Sequence, residues 1–267
     1  MTIHTVTFLF SSDPNNGAIN INSNTVYQGN SFSVDLSRYP ISIPAKAKSC
    51  SLTVIGASIP YISPNLVMNA NSNFNFIYNG TAYTLILPTG LYSLNNVASA
   101  ISLILTSMTL PSNLFTFVGN SATQMVSIVY NYANLQVDFT QPYNFAYIMG
   151  FNSGVYPPSP SYVGETSTAQ NVAEFDQLTS YTIISDLVSI GLPFNGNSKN
   201  VIAVIPITST PGSIVIYDPQ NAQRIEAGSL IGVVRTIANF SITDSRANNI
   251  NMLNQPWSIV CRFDYDI

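Results

Sequence analysis

The sequence predicts a mainly β protein: an antiparallel β-sandwich that carries an inserted small α+β domain. Three observations lead there. Over residues 176–267 strand patterns follow one another, separated by turn signals and with no helix between them. Only one stretch, residues 90–108, has convincing helical periodicity. Between about 65 and 175 the texture changes to short, Asn-rich strands around that helix, closed by a loop rich in Pro and Gly. With 267 residues and 46% hydrophobic content, the chain can bury the core of one large or two modest domains.

In chain order, residues 4–11 (HTVTFLFS) form a short strand pattern. The run Asp13-Pro14-Asn15-Asn16-Gly17 that follows is a turn signal. Residues 1–28 are read as a partly extended N-terminal arm, ordered only by neighbours, with a flexible terminus of no role as the alternative. The sandwich is assigned to 29–64 and 176–267. In residues 31–37, Phe32, Val34 and Leu36 alternate with polar residues, the mark of a half-buried strand. CSLTVIGASIPY is a longer strand in which Gly56 suggests a bulge, and Pro60 and Pro64 end it.

The inserted domain, 65–175, begins with NFNFIYN and TAYTLILP, joined by Asn79-Gly80, a hairpin signal. The helix is placed at about 93–108. Ser93 is its N-cap, and Leu94, Val97, Ala98, Ile101, Ile104, Leu105 and Met108 lie along one face. LFTFVGN, MVSIVYN and LQVDFT are three further short strands, and FAYIMGF is an apolar run. Tyr156–Tyr162 (YPPSPSY) is read as a rigid linker back to the sandwich, with a recognition surface as the alternative. SYTIISDLVSIG, NVIAVIPIT, SIVIYDP, SLIGVVRTIANFSITD and WSIVCRFDYDI complete the sandwich. With 31–37 and 48–59 they give seven strands, one short of the eight of a jelly roll. The missing strand is either residues 4–11 or an edge of the inserted unit.

Charged residues make up only 7% of the chain, far below the roughly 25% of ordinary soluble domains. Large contacts can then form without desolvating many ions, which favours a packed assembly over a freely diffusing enzyme. The net charge is −4 and the cations are scattered, so no phosphate-tracking patch exists and nucleic-acid binding is not expected. Neither a signal peptide nor a membrane-spanning apolar run is visible.

Enzyme chemistry finds little support. His4 is the one histidine, too isolated for a nucleophile–base pair, and no P-loop or zinc spacing occurs. Cys50 and Cys261 fall in phase with apolar strand residues and read as buried thiols. Glu174, Asp176 and Asp186 are the nearest approach to an acidic cluster. Oxygen ligation of calcium there is the one cofactor option, set against a solvated junction. No cofactor is expected. Asn79 and Asn239 head glycosylation sequons, which are discounted without a secreted context.

The order and spacing of several stretches resemble the penton (minor capsid) proteins of virophages, polinton-like viruses and related double-stranded DNA viruses with double-jelly-roll hexons. The stretches are SFSVDLSRYPISIPAKAKSCSLTVIGASIPY, YTLILPTGLYSLNNVASAI, AYIMGF, YTIISDLVS and IGVVRTIANFSITDSRANNINMLNQPWSIVCRFDYDI. The resemblance implies a single jelly roll that forms a homopentamer at the five-fold vertex of an icosahedral capsid. Residues 65–175 would be its outward-facing insertion, open to a spike or host receptor. The neighbours would be double-jelly-roll major capsid proteins, met by the N-terminal arm through Phe8, Phe10, Asn16 and Ile21. The expected location is the virion vertex, after assembly in the host cytoplasm or nucleus. The competing readings are a trimeric major capsid protein with two jelly rolls, a β-sandwich receptor- or carbohydrate-binding viral protein, and a hydrolase on a β scaffold.

Overall fold

The computed structural model describes residues 2–20, 29–175, 178–194, 197–198 and 200–267. In chain order the first strands are β1 (Ile3–Ser11), β2 (Ala18–Asn20), β3 (Ser31–Asp35) and β4 (Ser49–Pro60). Next come β5 (Asn73–Tyr78), β6 (Thr81–Ile86), helix α1 (Leu94–Ser107), β7 (Phe115–Gly119), β8 (Val126–Tyr130) and β9 (Leu135–Asp138). Two short strands follow, β10 (Val155–Tyr156) and β11 (Glu165–Thr168). The last group is β12 (Ser180–Ser185), β13 (Val201–Pro206), β14 (Ile214–Tyr217), β15 (Arg224–Glu226), β16 (Ile237–Thr243) and β17 (Ser258–Asp266). The chain divides into two compact units, Met1–Ser63 with Leu178–Ile267, and Pro64–Gln177.

The first unit is a two-sheet antiparallel sandwich. One sheet runs β1-β17-β4-β14, with β15 also paired to β4; the other runs β13-β12-β16-β3-β2. Lettering the eight principal strands B to I in sequence gives sheet orders B-I-D-G and F-E-H-C, which is the jelly-roll arrangement. The eighth strand is β1. It pairs with β17 in an unbroken register from Ile3↔Asp266 to Ser11↔Ser258. Residues 3–11 are therefore part of the sandwich rather than of a free arm, because a nine-residue ladder pairs one side of their backbone with β17 of the same chain.

Alternation decides what is buried. Ala238, Phe240 and Ile242 of β16 point inward, as do Ile259, Cys261 and Phe263 of β17. Aromatic rings fill the space between the two sheets: Phe10 of β1 reaches across to Phe240 of β16 at 4.6 Å, and Phe240 stacks on its neighbour within the second sheet, Phe32 of β3, at 5.2 Å. Trp257 meets Phe32 edge-on at 4.9 Å and donates its indole N–H to the Gly29 carbonyl at 3.0 Å. The bulge expected at Gly56 is present. The β17 register steps from Val260↔Gly56 to Cys261↔Val54 and leaves Ile55 unpaired.

The second unit has its own core. A four-stranded sheet, β10-β9-β5-β6, and a three-stranded sheet, β11-β8-β7, enclose it with α1. The cap is as read from the sequence: the Ser93 side chain accepts the Asn96 N–H, and Val97, Ile101 and Leu105 are buried. Asn79 and Gly80 both take positive φ, as a two-residue type I′ hairpin requires. The apolar run FAYIMGF forms a compact turn. It buries Phe145, Ile148, Met149 and Phe151. The segment read as a linker, Tyr156–Tyr162, is woven into this unit, since Tyr156 of β10 pairs with Val137 of β9. Ser161 also exchanges backbone hydrogen bonds with Asn134 and Leu135. This unit, with its helix and different strand order, is not a second jelly roll.

Candidate assembly surface

In each sandwich sheet, the residues that alternation keeps out of the core form an outer face. On the β1-β17-β4-β14 sheet, Leu9 of β1 lies opposite Val260 of β17, which lies opposite Gly56 of β4. At the far edge, Ile214 and Ile216 of β14 pair with Pro60 and Ser58. Leu9 is 69% exposed and Ile216 is 67% exposed. Aliphatic side chains thus stand at both edges of one sheet face, with small residues between them.

The other end of this face carries ions. Asp264 of β17 receives Arg224 Nη2 at 3.0 Å, Arg262 Nε at 3.2 Å and Thr5 Oγ1 at 2.8 Å. Burial works against its negative charge. The Arg224 and Thr5 hydrogen bonds and the nearby Arg262 charge outweigh it and hold the carboxyl below its ordinary range. The cluster pins β1, β15 and β17 together where the face turns polar.

The second sheet offers a different outer face. Ile19, Ser33 and Asn239 lie in one row across β2, β3 and β16, and Ile237 stands beside them, opposite Asp35. Asp186 accepts the Asn239 backbone N–H at 2.9 Å and its side-chain amide at 2.7 Å. Ile19, Ile237 and Val204 are exposed.

The four residues expected as arm contacts separate. Phe10 is buried in the sandwich core at 1% exposure, so its ring is closed to any neighbour. Phe8 is half-buried and packs on Phe10 and Phe263. Asn16 is exposed in the turn after β1, and Ile21 lies outside the described residues. Leu9, between the two phenylalanines, is the outward residue that sequence reading passed over. Strict alternation with Phe8 and Phe10 was the signal that would have found it.

The remaining candidates fall into plain structural places. His4 stacks on Tyr265 at 5.3 Å. Cys50 and Cys261 are free and buried; burial first, then the Asp264 charge, pushes the Cys50 thiol up to about 11, and burial raises Cys261 as well. Asp186 is committed to Asn239, Glu174 is exposed, and Asp176 lies outside the described residues. Among the described residues no three His, Cys, Asp or Glu side chains gather as metal ligands. Nor, among them, is any helix long and apolar enough to cross a membrane.

No protein-family model matches the chain, and no curated protein sequence matches it. Among solved structures, it is similar to the selenomethionine-labelled mavirus penton protein. The similarity covers 99% of this chain and 100% of that one, at 11% identity and a TM-score of 0.45.

Proposed function

We propose that the chain is a structural virion protein, a penton that forms homopentamers at the five-fold vertices of an icosahedral capsid. The observation that carries this reading is the single jelly roll interrupted by a complete unit between its D and E strands, β4 and β12. The two outer faces support it. A ring needs a heterologous contact between unlike surfaces of one chain. The Leu9–Val260–Ile216 face and the Ile19–Ile237 face are such a pair: each exposes aliphatic side chains, the first beside the Asp264 ion cluster and the second beside Ser33, Asn239 and Asp35. Each large aliphatic side chain fully buried there would contribute about 1.5–3 kcal/mol. With few charges to desolvate, more of that gain would be retained.

In this reading the protein is not an enzyme. The second unit faces outward, toward a spike or a host surface, and exposed turns such as that of Asn16 meet the surrounding double-jelly-roll capsomers. The experiment is the native mass of the purified chain, by native mass spectrometry and light scattering across concentration. Five chains per particle is the expected result. A stable trimer would overturn the vertex assignment in favour of a hexon or a receptor-binding spike.

A further inference from the structure

The second unit carries a preformed concavity of about 390 Å³, lined by Ile77, Asn79, Gly80, Asn134, Gln136 and Pro160. That volume lies within the ~300–1,000 Å³ range of ligand sites. Its walls are built by two paired strands. Gln136 of β9 stands opposite Ile77 of β5, and beyond the ends of these strands come Asn134 and Asn79. We propose that this concavity binds a neutral sugar.

Three features of the lining argue for that chemistry. The first is open hydrogen-bonding capacity. Asn134 Nδ2 donates to Asn79 Oδ1 at 3.3 Å, and Gln136 Nε2 donates to the Pro157 carbonyl at 3.0 Å. Whichever way the two asparagine amides are turned, their pair leaves one NH2 and one carbonyl without a partner among the described residues. Gln136 adds a free Oε1. Paired donors and acceptors of this kind are what sugar hydroxyls, each both donor and acceptor, can satisfy.

The second feature is absence of charge: no Lys, Arg, Asp or Glu lines the concavity. An anionic ligand would lose its hydration without a counter-charge, and so would a cationic one. Ile77 and Pro160 supply apolar surface for the C–H faces of a pyranose ring.

The third feature is rigidity. The Asn79 N–H donates to the Asn134 carbonyl at 3.1 Å, and the Asn134 N–H donates to the Ser161 carbonyl at 2.8 Å. The Ser161 hydroxyl accepts the Leu135 N–H at 3.0 Å and donates to the Tyr132 carbonyl at 3.0 Å. Asn79 and Asn134 are both held at positive φ, so their amides are presented from fixed turns. A site whose floor is already ordered loses little entropy when it is filled.

An extended peptide is the less suitable neutral ligand. Strand addition needs an unpaired sheet edge. Here β5 and β9 are interior strands, with β6 and β10 on their outer sides.

The inference does not depend on the vertex assignment. It is tested on the full chain by saturation-transfer NMR and titration up to about 10 mM ligand. The probes are methyl glycosides of galactose, mannose, fucose and N-acetylglucosamine, with lactose, 3′-sialyllactose and an uncharged tetrapeptide. At least one neutral sugar is expected to saturate. Its affinity should fall about tenfold or more in Gln136→Ala and in Asn79→Gly, which keeps the positive φ, with thermal unfolding of both variants close to that of the parent. The proposal is overturned if no neutral sugar saturates, if folded variants bind like the parent, or if only the sialylated sugar or the peptide binds.

Discussion

Residues 9 and 10 give the sharpest test of the sandwich, because one strand sends them to opposite sides. Phe10 is 1% exposed, with its ring 4.6 Å from Phe240 across the two sheets and 5.8 Å from Phe8. Truncating a buried phenylalanine to alanine costs about 3–5 kcal/mol, through lost transfer energy and the cavity left behind. For a domain of this size, each kcal/mol lowers Tm by roughly 2–4 °C, so Phe10→Ala should lower the sandwich transition by about 6–20 °C. Leu9→Ala, at a residue 69% exposed, should change the stability of the isolated chain by less than about 0.5 kcal/mol. Urea and thermal denaturation, followed by near-ultraviolet circular dichroism of Trp257, read both variants. If residues 3–11 were an arm ordered only by neighbours, Phe10 would be solvated in the isolated chain and both truncations would be neutral. A loss under about 1 kcal/mol for Phe10→Ala would refute the placement of β1 in the core.

Three further outcomes follow from local geometry. Gly150 has a φ of +82°, and a Cβ there would collide with the Asn171 carbonyl oxygen. Gly150→Ala should therefore destabilise the second unit by more than about 3 kcal/mol, measured as the loss of its denaturation transition. The folded-state pKa of Asp264 is depressed below its ordinary 3.8, so its stabilisation is complete above that value and is lost as pH falls through the folded pKa. Acid titration of stability should show a shallower limb in Asp264→Asn, and an identical limb in the two proteins would contradict the ion cluster. Both thiols are buried, so Ellman's reagent should find neither in the native chain and both after denaturation.

Much of this architecture was legible locally. The period-two pattern of β16, the Ser93 cap, the Asn79-Gly80 turn and the Gly56 bulge are each decided by residues a few positions apart. What failed to show was non-local. The partners of β1 are some 259 residues away, as in the Thr5–Asp264 bond, and most of its side chains stay exposed at a sheet edge. Its strand pattern is visible locally, but nothing local names its partner, so it reads equally as an arm and as the eighth strand. Tyr156–Tyr162 reads as a linker because Pro marks loops, yet Tyr156 pairs with Val137 of β9 and Ser161 is hydrogen-bonded to Asn134 and Leu135. The amide concavity had no signal at all. Asn79 and Asn134 are 55 residues apart in a chain rich in asparagine, and only the β5–β9 pairing brings them together.

The ring itself makes a demand that a symmetric dimer does not. In a heterologous contact each subunit uses one face toward one neighbour and a different face toward the other. Leu9→Asp would place a carboxylate on the first face, and Ile237→Asp would place one on the second. Both sites are exposed, so each variant should fold, but burying either charge in a contact would cost several kcal/mol. Each variant alone should then fail to form rings, because every contact needs both faces intact. Mixed in equal amounts, the intact second face of the Leu9→Asp chain meets the intact first face of the Ile237→Asp chain, and nothing further can add. The mixture should stop at a one-to-one heterodimer in native mass spectrometry, resolved by giving one variant a mass tag. Closed rings from either variant alone, or a mixture that stays monomeric at every concentration, would mean that these two faces do not meet.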